Sequence, residues 1–194
     1  MEATFKGVGK VAICWVMLVL FSACQIASLT ISASEREPID CLLSLMNQRL
    51  EVAGQVAQAK WNSGAAIDDP VREHKILDDI AAMLVTQPQT DQLFMLRFFQ
   101  AQFDAGKNIQ HRMHEQWRQE QHPRFDHPPD LAHDIRPVLD RLTPQLIDAL
   151  GKVQPLLERR GVRDYIEQRA AQMLALEQDP SVRKEALRVL LSPP

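Results

Sequence analysis

Two cations stand where a helix should be apolar. Arg49 and Lys60 are eleven residues apart, three helical turns plus about 20°, so both occupy one face. Met46, Ala53, Val56 and Ala57 share that stripe, so an arginine and a lysine point toward the core, where an unpaired cation is costly. Downstream, Asp69, Arg72, Glu73 and Ile76 fall at i, i+3, i+4 and i+7, one helix face mixing both charge signs with an apolar neighbour. Farther on, Gln110 is a neutral hydrogen-bond donor among Phe99, Phe103 and Ile109. Internal salt bridges between packed helices would account for such charges one at a time. Three cations on inward faces ask for more than two carboxylates can give, and a small bound dianion would satisfy them.

These side chains need rigid elements to carry them. The chain has 194 residues, 45% hydrophobic and 24% charged, enough for one domain with its own core. Only seven glycines and one tyrosine, with long runs of Leu, Ala, Gln, Glu and Arg, disfavour a many-stranded sheet and favour an all-α fold. The net charge of −3 gives no reason to expect a nucleic-acid partner. Apolar positions at the 3.6 period predict a helix from about Pro38 or Asp40 to Trp61, a second from about Asp68 to Val85, and a long third from Thr90 or Asp91 to Trp117. The polar stretch from Gln119 to Pro129 reads as a loop. Shorter helices follow over Leu131–Arg141, from a Thr143 cap with Pro144 in first position, over about Val162–Gln178, and after Pro180.

The first 34 residues have the layout of a secretory signal. Lys6 and Lys10 precede an apolar run from Val11 to Cys24, shorter than a spanning helix needs, and Ala27 to Ser34 is small and polar. The expectation is an exported domain over 35–194, periplasmic or secreted, cleaved after Ser34 and without a stable membrane span. Cleavage after Ala33, an uncleaved membrane anchor and a lipoprotein anchored through Cys24 are the alternatives. Of the three cysteines only Cys41 lies beyond the signal, so the exported domain has no internal disulfide and must rely on its core.

Taken together, Arg49-Leu50-Glu51-Val52-Ala53, Lys60-Trp61, Ile67-Asp68-Asp69, Arg72-Glu73, Phe98-Phe99-Gln100-Ala101-Gln102 and Ile109-Gln110 resemble the all-helical chorismate mutases. The likeness is closest to their exported subclass, with Asp130-Leu131 and Ile135-Arg136-Pro137 similar to its second half. The resemblance implies conversion of chorismate to prephenate by a Claisen rearrangement, on the way to phenylalanine and tyrosine, with no cofactor and no metal. It implies a homodimer whose active site lies within one subunit. Arg49, Arg72 and Arg136 would clamp the substrate carboxylates, with Ile135 in place of Arg136 if the register shifts by one. Lys60 and Gln110 would donate to the breaking ether oxygen, while Asp69 and Glu73 would orient the substrate hydroxyl and hold the cations. Gly106 departs from the pattern, since some members carry there a Ser or Thr that touches the substrate.

The remaining features have plainer readings. His111 and His114, with His122 and His127 in the loop, lack a third inward ligand at recognised metal spacing and read as a solvated face. Trp61, Trp117 and the phenylalanines read as core. Glu158-Arg159-Arg160 and the charges of Arg163–Arg169 read as helix surface, with a weak effector site as the other option. A different class, a non-catalytic exported helical protein binding a small anion, would be expected to have lost Lys60, Gln110 or one of the arginines, and all are present.

Overall fold

In a computed structural model of the chain, which describes residues 31–174 and 180–192, six α-helices and no strand occur among the described residues. They are α1 (Ala33–Ser63), α2 (Pro70–Met83), α3 (Gln89–Gln119), α4 (Arg136–Val153), α5 (Val162–Met173) and α6 (Pro180–Leu191). A single π turn, Leu131–Ile135, leads into α4, and a 3₁₀ turn, Gln154–Leu156, follows it. The all-α expectation holds.

α1 and α3, each 31 residues, are the longest elements among the described residues and pack on one another. The core between them and the later helices is built on Leu42, Leu43, Met46, Phe98, Phe99, Leu146 and Leu150, all essentially inaccessible. α6 packs chiefly on α3, and the buried Gln102 of α3 donates its Nε2 proton to the Ala186 carbonyl at 2.8 Å.

Three boundaries differ from expectation. First, α1 starts at Ala33, ahead of Pro38, which the helix absorbs within its interior. The Glu35 carboxylate reaches back to the Ser32 backbone N–H at 2.9 Å and the Ser32 hydroxyl at 2.7 Å, and it also pairs with Arg159. That arrangement satisfies an otherwise orphaned helix-end donor. Second, the helix expected to open at Thr143 is part of α4. Thr143 donates its hydroxyl to the Leu139 carbonyl at 2.9 Å instead of capping. Pro144 removes one backbone donor, but Leu142, Leu146, Ala149, Leu150 and Val153 make a continuous buried stripe that holds the helix through it. Third, residues 131–135 form a π turn rather than α-helix, with the Ile135 N–H reaching the Asp130 carbonyl at 3.1 Å. Pro137, in the first turn of α4, has no N–H with which to extend a regular helix backward.

The expected signal falls largely on residues 1–30, outside the described residues. Its last four residues enter the fold, with Ile31 packed on the core and its carbonyl accepting from Arg36 Nε at 3.0 Å. A chain beginning at Ile31 is therefore expected to be more stable than one beginning at Glu35, by about 1 kcal/mol for the lost helix start. Melting temperatures of the two purified chains measure this, and equal values would show that Ser32 contributes nothing. Among the described residues no helix is long and apolar enough to cross a membrane.

Candidate active site

Where α1, α2 and α3 meet the π turn, they enclose a cavity of about 500 Å³. Every one of the seven residues singled out from sequence lines it: Arg49 and Lys60 from α1, Asp69, Arg72 and Glu73 from the start of α2, Gln110 from α3, and Arg136 at the head of α4. Ile135 lines it too, buried while Arg136 is exposed, so the wide turn brings both alternatives of the register to the same wall. The loop before that turn is pinned by Asn62, whose Nδ2 donates to the Phe125 carbonyl at 2.7 Å and whose Oδ1 accepts the Phe125 N–H at 2.9 Å.

Arg49 is 9% exposed and its guanidinium lies over the Phe103 ring, 5.1 Å from the centroid. Its Nη1 is buried without a hydrogen-bond partner among the described residues. Burial pushes its pKa down to about 10, so it remains a cation at neutral pH. Lys60 donates one ammonium proton to the Ile67 carbonyl at 2.7 Å, leaving two for other acceptors. Burial lowers its pKa, the carboxylates of Asp69, Glu73 and Asp68 oppose that, and Arg72 adds to it. Among the described residues neither Arg72 nor Arg136 has a carboxylate within 4.0 Å.

Asp69 has a local task the sequence reading did not give it. As N-cap of α2, with Pro70 next, it accepts the Arg72 backbone N–H at 3.1 Å and so fixes the turn from which Arg72 and Glu73 project. Gln110 is 7% exposed and donates from Nε2 to the Gly106 carbonyl at 3.2 Å. The amide keeps a second N–H, while its Oε1 is buried without a partner among the described residues. At Gly106 an added Cβ would meet only Ala53 Cβ, at 3.8 Å, so the site would accept a side chain there.

Two charged lining residues, Asp68 and Lys107, were given no role from sequence. Lys107 stands on α3 between Phe103 and Gln110, and its Nζ is 3.0 Å from Glu73 Oε2. Its positions i−4 and i+3 relative to those two could have marked it, but on an amphipathic helix a lysine reads first as surface. Of the two helical histidines read as a solvated face, His111 is exposed, with Nε2 3.4 Å from Asp68 at the cavity. His114 is buried, its Nε2 2.8 Å from the Ala57 carbonyl between Trp61 and Trp117, where the inward side of α3 packs on α1. Among the described residues no three His, Cys, Asp or Glu side chains cluster as metal ligands.

The charges sum to a recognisable preference. Arg49, Lys60, Arg72, Lys107 and Arg136 face Asp68, Asp69 and Glu73 around one cavity, an excess of two positive charges. Such a lining suits a compact dianion, holding its carboxylates by guanidinium forks and offering fixed N–H donors to any oxygen that gains charge. It presents no nucleophile paired with a base.

Comparison with known proteins bears on this arrangement. The family model described as chorismate mutase type II matches residues 40–111, the span from α1 to the Gln110 turn of α3. A secreted chorismate mutase of Mycolicibacterium smegmatis is 29% identical over 126 residues, 65% of this chain and 68% of that protein. The crystal structure of chorismate mutase from Burkholderia thailandensis is 32% identical and superposes with a TM-score of 0.67, covering 79% of this chain and 96% of that one. The chorismate mutase structure from Burkholderia phymatum, 23% identical, shares the fold with a TM-score of 0.71 over 83% of this chain and all of that one.

Proposed function

The chain belongs to the type II chorismate mutases, and from that premise we propose that its cavity converts chorismate to prephenate. The observation that carries the reading is the excess of two positive charges around a 500 Å³ cavity, because chorismate is a dicarboxylate of suitable size. The rearrangement breaks one C–O bond and forms one C–C bond within a single molecule, so no group needs to accept or supply a proton. What it needs is a compact conformer held in place and a donor for the ether oxygen as that oxygen gains charge.

On this reading Arg49, Arg72 and Arg136 bind the two carboxylates, and the π turn brings Arg136 from the same chain. Lys60 and Gln110, each with a proton to spare, flank the ether oxygen from opposite helices. Asp69 acts through the N-cap that orients Arg72, and Glu73 receives the substrate hydroxyl. The assembly is a homodimer with a complete site in each subunit, needing neither cofactor nor metal. Export, to the periplasm or beyond, is supported by the layout of residues 1–34 and by the secreted relative.

The test is direct. Purified chain from residue 31 onward should abolish the ultraviolet absorbance of chorismate in a catalytic, saturable manner, with prephenate as sole product. Binding of chorismate without its consumption would instead make this a non-catalytic small-anion binder.

A further inference from the structure

Lys107 is held on three sides by carboxylates. Its Nζ lies 3.0 Å from Glu73 Oε2, 3.2 Å from Asp104 Oδ1 and 4.0 Å from Asp68 Oδ1. Glu73 and Asp104 lie within hydrogen-bond reach and take two of the three ammonium protons, while Asp68 is a more distant electrostatic neighbour, so the lysine's charge is committed to this acidic corner. Its side chain is 20% exposed and that of Glu73 21%, so the pair is sheltered while still lining the cavity. Burial alone would lower the lysine's pKa, but its bonds to Glu73 and Asp104 outweigh that and raise it. Asp104 is in turn fixed from behind: Gln100 Nε2 donates to it at 3.0 Å, and Arg188 of α6 lies 3.7 Å away.

Taking Lys107 away would leave Glu73, Asp104 and Asp68 facing one another beside a cavity meant for a dianion. Their mutual repulsion would turn Glu73 outward and push the local potential negative. We propose that Lys107 is a positioning residue that holds Glu73 toward the cavity and neutralises this acidic corner so that a dicarboxylate can enter. The role rests on the proposed chorismate rearrangement. It explains why a site for a dianion can carry Asp68 and Glu73 on its wall: one lining cation is committed to them, and four remain for the ligand.

Steady-state kinetics of the parent, Lys107→Met and Lys107→Arg, at low salt and with about 0.3 M KCl, test it, since screening reaches only a few ångströms at that ionic strength. Lys107→Met should raise KM roughly tenfold or more while kcat falls less, and salt should recover part of the loss. Lys107→Arg should restore KM to near the parental value. In a double-mutant cycle with Glu73→Gln, the KM effect of Lys107→Met should shrink to less than half, because the carboxylate it positions is gone. A folded Lys107→Met enzyme with parental KM and salt response overturns the role, as do effects that simply multiply in the cycle. Should Lys107→Met fail to fold, Lys107→Gln carries the same comparisons. A parent that leaves chorismate unconsumed overturns the functional reading and this role with it, whereas an active parent beside an unchanged variant overturns the role alone.

Discussion

Lys60→Ala is expected to lower kcat/KM by about 3–4 kcal/mol of transition-state stabilisation, several hundredfold, with little change in melting temperature. On the proposed reading the lysine is the charged donor of the pair facing the ether oxygen; its ammonium is held by the Ile67 carbonyl at 2.7 Å. Burial weakens its hold on the proton, but Asp69, Glu73 and Asp68 counter that, so the group works as a cation whose hydration has been partly stripped. A donor of that kind interacts more strongly with a developing anion than it would in water. Arg49→Ala should show a comparable loss for a different reason. Its guanidinium is buried on Phe103 with Nη1 unpartnered among the described residues, so the fold bears the cost of a desolvated cation that a bound carboxylate would relieve. Truncation removes that cost along with some packing, and the melting temperature should stay near the parental one. Initial rates of chorismate loss, set beside thermal melts of the same preparations, separate the two roles. A large drop in melting temperature with near-normal specific activity of the folded fraction would return both residues to structural duty.

What the sequence disclosed and what it hid divide along physical lines. The spacing of Arg49 and Lys60 was readable because a straight helix converts eleven residues into one face, and α1 runs unbroken through both. Arg72 and Glu73 were readable for the same reason, although Asp69, read on the same face, is the N-cap outside the helix, and Gln110 because Phe99, Phe103 and Ile109 mark the inward side of α3. Arg136 was readable only by resemblance. Its placement depends on a π turn, and an i→i+5 bond has no signature in a 3.6-residue period. Lys107 shares a face with Phe103 and Gln110, but its ion pair with Glu73 of another helix is something no spacing along α3 reports. Two strong local signals misled through context. Thr143-Pro144 is a good helix start, overridden by the buried stripe from Leu142 to Val153. Ser32-x-x-Glu35 is a good capping box, but the boundary set after Ser34 separates its two ends.

The second large effect is expected from Gln110→Glu, whose kcat/KM should become dependent on pH where the parent's is not. An ether oxygen that gains negative charge requires a hydrogen-bond donor, and a neutral amide donates at every ordinary pH. Glutamate has nearly the same shape but donates only as the acid. Ionised, it would face both the ether oxygen and the Gly106 carbonyl with lone pairs, at a position only 7% exposed. Activity should therefore be about 100- to 1000-fold below the parent's above the pKa of the new carboxyl, the usual loss for one oxyanion donor. It should rise as pH falls through that pKa. Burial and the Gly106 carbonyl favour the acid form, while nearby Lys60 and Arg49 favour the carboxylate. These influences move the midpoint without reversing the direction, since only the acid can donate. Recovery should be partial even then. The amide has two protons, one for Gly106 and one for the substrate, whereas the acid has one for which the two oxygens compete. The measurement is kcat/KM from about pH 5 to pH 9, with the carboxyl followed by carbon NMR over the same range. A profile matching the parent's while the carboxyl visibly ionises would remove Gln110 from the mechanism and leave Lys60 as the sole donor to the ether oxygen.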